Sequence, residues 1–462
     1  MNKVLLAAIS SGSGKTTITC GLIKNLKNRG LSVKSYKSGP DYIDPMFHKK
    51  VLGIPSENLD LFFANEEHIN SILYRNKDFD ISVIEGAMGI YDGILGLDKN
   101  GSAYDLARKT NTPIILIVDA KGIGSTIISV IKGILLDDEE KLVKGVIFNR
   151  MSSNLYLSIK PTFESQTGIK ALGYVPKLTD ISIDSRHLGL KLPEEIKELD
   201  HHVETISDQI SKTVDVDEIM AIASEMADCY DENITCSLSG NEKPNENVPD
   251  NKLRLAVALD EAFCFYYEDN FRVLREQGIE LCFFSPIHDT SLPNNISGII
   301  LGGGYPELKL NELEANISMK QSIKKALDSD IPSLAECGGF MYLHEGIELE
   351  DRYYELVGAV DGKCFNTGKL CRFGYVDVSV PRHDNKTAYT IKAHEFHYFD
   401  STNNGSDVVA TKPGNGKQWE LGFVGKGKLW GFPHLYYSSC KEFIIDFVLA
   451  MEDYRVNIRS QS

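Results

Sequence analysis

Two short stretches of this 462-residue chain combine residue types and spacings suited to reactive loops. The first, Ser10-Ser11-Gly12-Ser13-Gly14-Lys15-Thr16-Thr17, follows an apolar run at residues 4–9. Gly12 and Gly14 leave room for backbone N–H groups to converge on phosphate oxygens. Lys15 can then reach the outer phosphates, and the Thr16 hydroxyl, with Thr17 beside it, suits ATP-bound magnesium. The first glycine of the strict GxxxxGK[ST] pattern is absent, since Ile9 stands in its place. The second stretch, Leu334-Ala335-Glu336-Cys337-Gly338-Gly339, has the small flanking residues that a sharp strand-to-helix turn needs around an exposed nucleophile. A helix end at that point is expected to lower the thiol pKa. His434, in Gly431-Phe432-Pro433-His434, is the best base for such a thiol, and Gly303 and Gly304 can offer oxyanion N–H groups. A phosphate cradle and a reactive thiol on one chain point to ATP-driven amide transfer.

Carboxylates at strand ends could complete the phosphate site. Asp41, Tyr42 and Asp44 follow one expected strand, Glu85 and Asp92 another, and Asp119 a third. Ligands of open α/β sheets bind at such carboxyl ends, and a carboxylate beside the phosphate loop is the usual second anchor for magnesium. Thr16, Asp41 and Glu85 are the magnesium candidates, with Tyr42, Asp44 and Asp92 bordering an acceptor substrate. The plainer reading of Asp41 and Asp44 is that they cap turns around Pro40 and Pro45. His394-Glu395-Phe396-His397 is not HExxH. On a strand its two histidines face opposite sides, which argues against a metal pair.

These loops need rigid elements to hold them. Apolar runs at 4–9, 32–36, 81–84, 114–118 and 145–148 alternate with helical stretches, the pattern of a parallel sheet covered on both faces. Residues 190–228 are acidic and mostly helical in pattern, and 236–252 are polar and rich in Pro and Asn, the clearest linker. The strand–helix alternation restarts with strands at 254–259, 280–284, 298–301 and 332–335 and a helix near 269–277. A β-rich stretch at 352–434 follows. The expected organisation is a domain over 1–235, a linker over 236–252 and a second α/β domain over 253–455.

Hydrophobic content of 42% and charged content of 25% are those of a globular protein. No apolar run reaches the roughly 20 residues needed to span a bilayer. Residues 1–9 read as a buried first strand, because a Gly/Ser turn follows them where a signal peptide would have its cleavage site. Nine cysteines without CxxC spacing fit a reducing cytoplasm and suggest neither a disulfide framework nor a zinc site; apart from Cys337 they are expected to be packing residues. A net charge of −16 argues against nucleic-acid binding and requires anionic substrates to be held by local donors.

Several segments, in order along nearly the whole chain, carry a resemblance. They are the phosphate loop, Gly39-Pro40-Asp41-Tyr42-Ile43-Asp44-Pro45, Asn58-Leu59-Asp60, and Glu85-Gly86-Ala87-Met88-Gly89-Ile90-Tyr91-Asp92-Gly93. Arg186-His187-Leu188-Gly189-Leu190, Asp260-Glu261-Ala262-Phe263, Gly303-Gly304-Tyr305-Pro306-Glu307-Leu308, the Cys337 turn and His394-Glu395-Phe396-His397-Tyr398 complete the set. With these the chain resembles the cobyrinate a,c-diamide synthase family of corrinoid biosynthesis. The resemblance implies an N-terminal P-loop NTPase-like domain of the dethiobiotin synthetase kind, with a mostly parallel sheet. It also implies a C-terminal class I glutamine amidotransferase α/β domain of the type shared with cobyric acid synthase. It further implies ATP, magnesium and glutamine as co-substrates and a cobyrinate-type tetrapyrrole as acceptor, with room for a homodimer; the net charge and the apolar runs add the expectation of no nucleic-acid or membrane partner. The same chemistry on nickel-sirohydrochlorin or hydrogenobyrinate is the nearest alternative, and a partition-type ATPase or regulatory switch with a degenerate amidotransferase tail the more distant one. Two departures stand out: Ser185 precedes Arg186 where an acidic residue is expected, and Leu435-Tyr436-Tyr437 replaces a His-containing run. No clear acid follows His434 as in other amidotransferases, which leaves a Cys-His pair.

Overall fold

The computed structural model describes the chain except residues 95, 97, 179–184, 187, 188, 191–198, 227–251, 383–386 and 462, and only the backbone of 185, 186, 189, 190 and 459–461. It divides into two compact units, Met1–Glu242 and Lys243–Ser462. The division itself, the expected linker up to residue 251 and the His187-Leu188 pair lie outside the described residues.

The first unit is built on β1 (Lys3–Ala8), β2 (Val33–Ser38), β3 (Ser56–Leu59), β4 (Ile81–Glu85), β5 (Ile114–Asp119), β6 (Val143–Asn149) and β7 (Lys170–Val175). All six neighbour pairs are parallel, in the order β3-β2-β4-β1-β5-β6-β7. The helices are α1 (Lys15–Asn28), α2 (Ile43–Lys50), α3 (Glu66–Arg75), α4 (Ala103–Lys109), α5 (Thr126–Leu136), α6 (Ser153–Thr167), α7 (Leu199–Thr213) and α8 (Val216–Glu225). Every residue of β1 and β4 is buried, Lys3, Ser82 and Glu85 included, as in a sheet covered on both faces. Helix α7 presses on α1 at Gly21, where a Cβ would run into the side chains of Ile206 and Ile210. That contact anchors the helix which begins at the phosphate loop.

After a two-stranded ribbon, β8 (Ser185–Arg186) with β9 (Gly189–Leu190), the second unit repeats the parallel theme. Its main strands are β10 (Arg254–Ala258), β11 (Glu280–Phe284), β12 (Gly298–Leu301) and β13 (Ser333–Glu336), with helices α9 (Glu268–Glu276), α10 (Leu310–Ala315), α11 (Ile317–Asp328) and α12 (Gly338–Leu343). The β-rich region contributes β14 (His344–Leu349), β15 (Arg352–Glu355), β16 (Val360–Asn366), β17 (Arg372–Pro381), β18 (Ala388–His397), β19 (Phe399–Ser401), β20 (Val408–Thr411), β21 (Gln418–Leu421), β22 (Phe423–Gly425), β23 (Lys428–Gly431) and β24 (His434–Leu435), before helix α13 (Lys441–Gln461). The main sheet has the order β11-β10-β12-β13-β23-β22, parallel up to β23, with β22 antiparallel at its edge.

Alternation along these strands gives the main sheet a core on each face. Ala256, Ala258, Ile299, Leu301 and Ala335 join Phe340 and Tyr342 on one side. Leu255, Val257, Ile300 and Leu334 meet Val376, Val378, Ile391, Phe447 and Met451 on the other. A mixed sheet β15-β14-β16-β19 and an antiparallel sheet β21-β20-β17-β18-β24 complete the unit. Among the described residues no helix is long and apolar enough to cross a membrane.

Candidate functional site

In the first unit the carboxyl ends of β1, β2 and β4 converge. Gly14 caps α1 at φ 88°, a left-handed conformation that glycine adopts without penalty, and a Cβ there would strike the Asn149 amide. The same amide donates to the Ser13 carbonyl at 2.9 Å and steadies the loop. Gly12 is also left-handed, at φ 76°. Lys15 is buried and donates to the Met88 carbonyl at 2.5 Å. Burial, and then the neighbouring Lys37 cation, push its pKa down to about 8.

Thr16 donates to Glu85 Oε1 at 2.6 Å and lies 3.5 Å from Asp44 Oδ1. Between the two acids sits Lys37, ion-paired to Asp44 and 3.1 Å from Glu85 Oε1. The register of the sheet places this lysine, since Lys37 on β2 lies directly opposite Glu85 on β4. Burial pushes both carboxyls up. In Glu85 that effect is outweighed by Lys37, His48 and Thr16, and its pKa falls; Asp44, facing the Glu85 charge, stays raised.

Of the sequence-derived candidates, Lys15, Thr16, Glu85 and Asp44 are therefore gathered at one point. Asp41 lies close enough for its charge to act on Lys37 and Asp44, but its Oδ1 accepts from the Ile43 amide at 2.8 Å, in the turn that leads into α2. Tyr42 caps α2, and both residues remain partly exposed. Asp92 closes the 86–92 loop by accepting from the Gly89 amide at 2.8 Å. Thr17 lies in the first turn of α1. Lys37 was not among the sequence-derived candidates. Its position inside an otherwise fully buried strand is the signal that could have drawn attention to it.

The second unit brings its candidates to adjacent strand ends. Cys337 follows β13, Gly302-Gly303-Gly304 follows β12 on one side, and His434 lies three residues beyond the end of β23 on the other. Cys337 has φ 46° and ψ −105°, a strained conformation for a residue with a Cβ. The turn is held because the Cys337 amide donates to the Gly431 carbonyl at 3.0 Å and its carbonyl accepts from Met341 at 2.9 Å. Gly338 fits only as glycine, since a Cβ would come within 3.1 Å of the Gly304 nitrogen and 2.9 Å of Pro306 Cδ. The backbone of Gly303 lies against the imidazole of His434, which a Cβ would overlap. His434 is itself part of β24, paired with His394 on β18.

One expectation is corrected. The Cys337 thiol is raised above its ordinary pKa, by burial first and by the Glu307 carboxylate next. The helix behind it is six residues long, and its field does not offset that burial. Burial, with His394 and His397 nearby, pulls His434 down to about 3. At neutral pH the thiol is therefore protonated and the imidazole neutral, on neighbouring strand ends.

Near the site, His397 stacks on Phe432, with centroids 4.2 Å apart and planes at 11°. It also bonds Glu395 at 3.1 Å and the Phe399 carbonyl at 2.6 Å. Glu395 and His397 lie on the buried side of β18, and His394 is on the other. Among the described residues no cluster of three or more His, Cys, Asp or Glu could hold a metal ion. The described cysteines are all free: Cys20, Cys364 and Cys440 are buried like Cys337, whereas Cys264, Cys282 and Cys371 are partly exposed.

Burial of neutral histidines has a testable consequence. Burial, then the Lys412 charge, lower His394 to about 4 from an ordinary 6.5. The unfolded chain binds this proton more readily, so stability rises with pH across that window and is lost as pH falls through it. His394→Gln should shallow the acid side of a pH–stability curve between 6.5 and 4 in urea titrations followed by fluorescence. An unchanged slope would contradict the assignment.

A phosphate-loop sheet and a cysteine-turn sheet on one chain define a nucleotide-binding unit joined to a glutamine amidotransferase. Residues 4–190 match the family described as "CobQ/CobB/MinD/ParA nucleotide binding domain", and residues 254–438 that described as "CobB/CobQ-like glutamine amidotransferase domain". The chain is 39% identical to the cobyrinate a,c-diamide synthase of Listeria innocua, over 95% of this chain and 96% of that protein. It is 36% identical to that of Caldanaerobacter subterraneus over 96% and 97% of the two chains, and 41% identical to that of Thermoplasma volcanium over 86% and 85%. The chain belongs to the cobyrinate a,c-diamide synthase family.

Proposed function

We propose that this enzyme converts cobyrinate to cobyrinate a,c-diamide, using ATP to activate the a and c carboxylates and glutamine as the nitrogen source. The observation that carries the reading is similarity to cobyrinate a,c-diamide synthases over nearly the whole of both chains. The first unit is the ATP-dependent synthetase and the second the glutaminase.

A carboxylate is too poor an electrophile to react with ammonia unaided. Its oxygen attacks the γ-phosphorus of ATP, ADP leaves, and an acyl phosphate forms. Lys15 and the loop amides of Gly12 and Gly14 neutralise the charge spread over the phosphoryl oxygens. Thr16, Glu85 and Asp44 would hold magnesium. They are oxygen donors of the right hardness, and the buried Glu85 Oε2 faces only His48 Nε2, at 3.6 Å, without a hydrogen bond among the described residues. Asp41, whose Oδ1 accepts from the Ile43 amide in the turn before α2, borders the same set. When bound, magnesium supplies further neutralisation of phosphate charge. Tyr42, partly exposed, and Asp92, exposed, border the acceptor.

At the thiol, the Cys337 sulfur attacks the glutamine amide carbon while His434 takes the thiol proton. The resulting oxyanion is stabilised by the amides of Gly303 and Gly304. His434 returns the proton to the departing nitrogen, which leaves as ammonia, and water hydrolyses the glutamyl thioester to glutamate. Ammonia then displaces phosphate from the acyl phosphate to give the amide.

Incubation with ATP, magnesium, glutamine and either cobyrinate or nickel-sirohydrochlorin, followed by mass analysis, tests the acceptor. Two successive amide gains on cobyrinate, and none on the nickel ring, are expected. Amidation of the nickel ring alone would overturn the acceptor assignment but leave the chemistry in place.

A further inference from the structure

We propose that Glu336, the last residue of β13, is the positioning acid of the thiol site, holding His434 in place through the backbone of Leu435 and the hydroxyl of Tyr437. This rests on the reading of Cys337 and His434 as the glutaminase pair. Residues 435–441 after His434 contain no acid, yet a buried carboxyl reaches the same segment from the strand that carries the nucleophile.

The contacts are direct. Tyr437 Oη donates to Glu336 Oε1 at 3.1 Å, and the carboxyl also accepts from the Leu435 backbone N–H. Glu336 and Tyr437 are both buried, with exposures of 6% and 3%. The phenol cannot lose its proton in competition, because burial and the adjacent Glu336 carboxylate hold its pKa far above the ordinary value. It therefore remains a donor.

The rest of the segment is held by other elements. Asn270 on α9 donates to the Leu435 carbonyl and accepts from the Tyr437 amide, both at 2.8 Å. The Tyr436 amide donates to the Lys392 carbonyl on β18 at 2.9 Å. Of these anchors only Glu336 is covalently next to Cys337. A displacement of β13 would thus move nucleophile and histidine together, which preserves their mutual geometry.

In hydrolytic triads the acid orients the histidine and fixes its tautomer, without taking its proton. Glu336 does the orienting part through the chain, one residue past the imidazole. Burial pushes its own carboxyl up to about 8, with Tyr437 and Leu435 opposing that shift. Two donors, the Tyr437 hydroxyl and the Leu435 N–H, converge on this carboxyl, and an amide of the same shape keeps an acceptor oxygen for them.

The experiment uses the full chain and measures both glutamine hydrolysis and ammonia-supported amidation, with Cys337→Ala as the blank. Glu336→Ala should lower kcat for glutamine hydrolysis about 100-fold, the scale expected when a reacting group is displaced by about 1 Å, while KM for glutamine moves less than about 3-fold. Ammonia-supported amidation should be unchanged. Glu336→Gln should stay within about 3-fold of the unaltered enzyme, and Tyr437→Phe, losing one of two anchors, should fall about 5- to 10-fold.

Full hydrolysis by Glu336→Ala overturns the proposal while sparing the glutaminase reading. So does a parallel loss of hydrolysis, ammonia-supported amidation and thermal stability that Glu336→Gln fails to rescue, because that pattern marks a purely structural acid. If the unaltered enzyme hydrolyses glutamine no faster than Cys337→Ala, the glutaminase reading falls and this inference falls with it.

Discussion

Cys337→Ala should abolish glutamine-dependent amidation, by a factor on the order of 10³ or more, while ammonium salts at alkaline pH still support it. The split follows from the division of labour between the two units. The thiol serves only to release ammonia, and free ammonia bypasses that step. On the proposed scheme the acyl phosphate forms on the other unit, where Lys15, Thr16 and Glu85 are gathered. Alanine should also be tolerated structurally. The strained φ of 46° is imposed by the turn, not by sulfur, and alanine meets the same backbone penalty as cysteine. The removed atom lies in a buried apolar cluster with Phe340 and Phe432, where the loss of one small atom leaves a minor void. Glutamate release and product mass, measured with each nitrogen source, report the two half-reactions separately. Loss of amidation with both sources would mean that the thiol is needed for the synthetase step, and the two-site scheme would fail.

The parts of this protein that could be read in the sequence are those in which local chemistry and local geometry coincide. An apolar run, a Gly-rich turn and a helical repeat are enough to place Gly14 and Lys15 at a strand end, because only one local arrangement satisfies all three. Cys337 is similar: the small residues around it leave few turns other than the one observed. What was not legible depends on tertiary packing. Asp41 and Asp44 sit three apart in the same Pro-flanked segment, and either could have faced Thr16. The choice is made at the start of α2, where the Ile43 amide holds Asp41 Oδ1 and the first turn directs Asp44 to Lys37. The direction of the Cys337 shift was misread for a related reason. A helix N-terminus is visible as a sequence pattern, but the depth at which it is buried is not, and at this site burial is the larger effect. The two extra sheets between β14 and β24 were foreseen only as β-rich alternation, since strand order there is set by pairings between distant residues. Glu336 was hidden in plain view beside the nucleophile, because its partners lie about a hundred residues downstream.

Lys15→Ala should abolish amidation from either nitrogen source, by a factor on the order of 10³ or more, and leave glutamine hydrolysis by Cys337 measurable. The ammonium of Lys15 is the phosphate loop's own cation, and the nearest substitute is not available. Lys37 is buried between Asp44 and Glu85, and its pKa is raised because those two carboxylates outweigh the cost of its burial. Drawing it toward a phosphate would strand two buried carboxylates, a change that costs several kcal/mol. Lys15 donates to the Met88 carbonyl, and its pKa is depressed to about 8. A triphosphate would restore the proton's advantage, so ATP binding and the charged form of this lysine reinforce each other. The truncation leaves the Met88 carbonyl short of a donor, a cost of about 1–3 kcal/mol, so folding must be monitored alongside activity. The thermal midpoint should therefore drop modestly, and the rise that ATP produces in the unaltered protein should be missing. Lys15→Arg should not rescue activity, because a planar guanidinium does not fit where a compact ammonium meets one carbonyl in a buried pocket. Amidation that survives Lys15→Ala, or an undiminished ATP-induced rise in its thermal midpoint, would remove this lysine from the phosphate site.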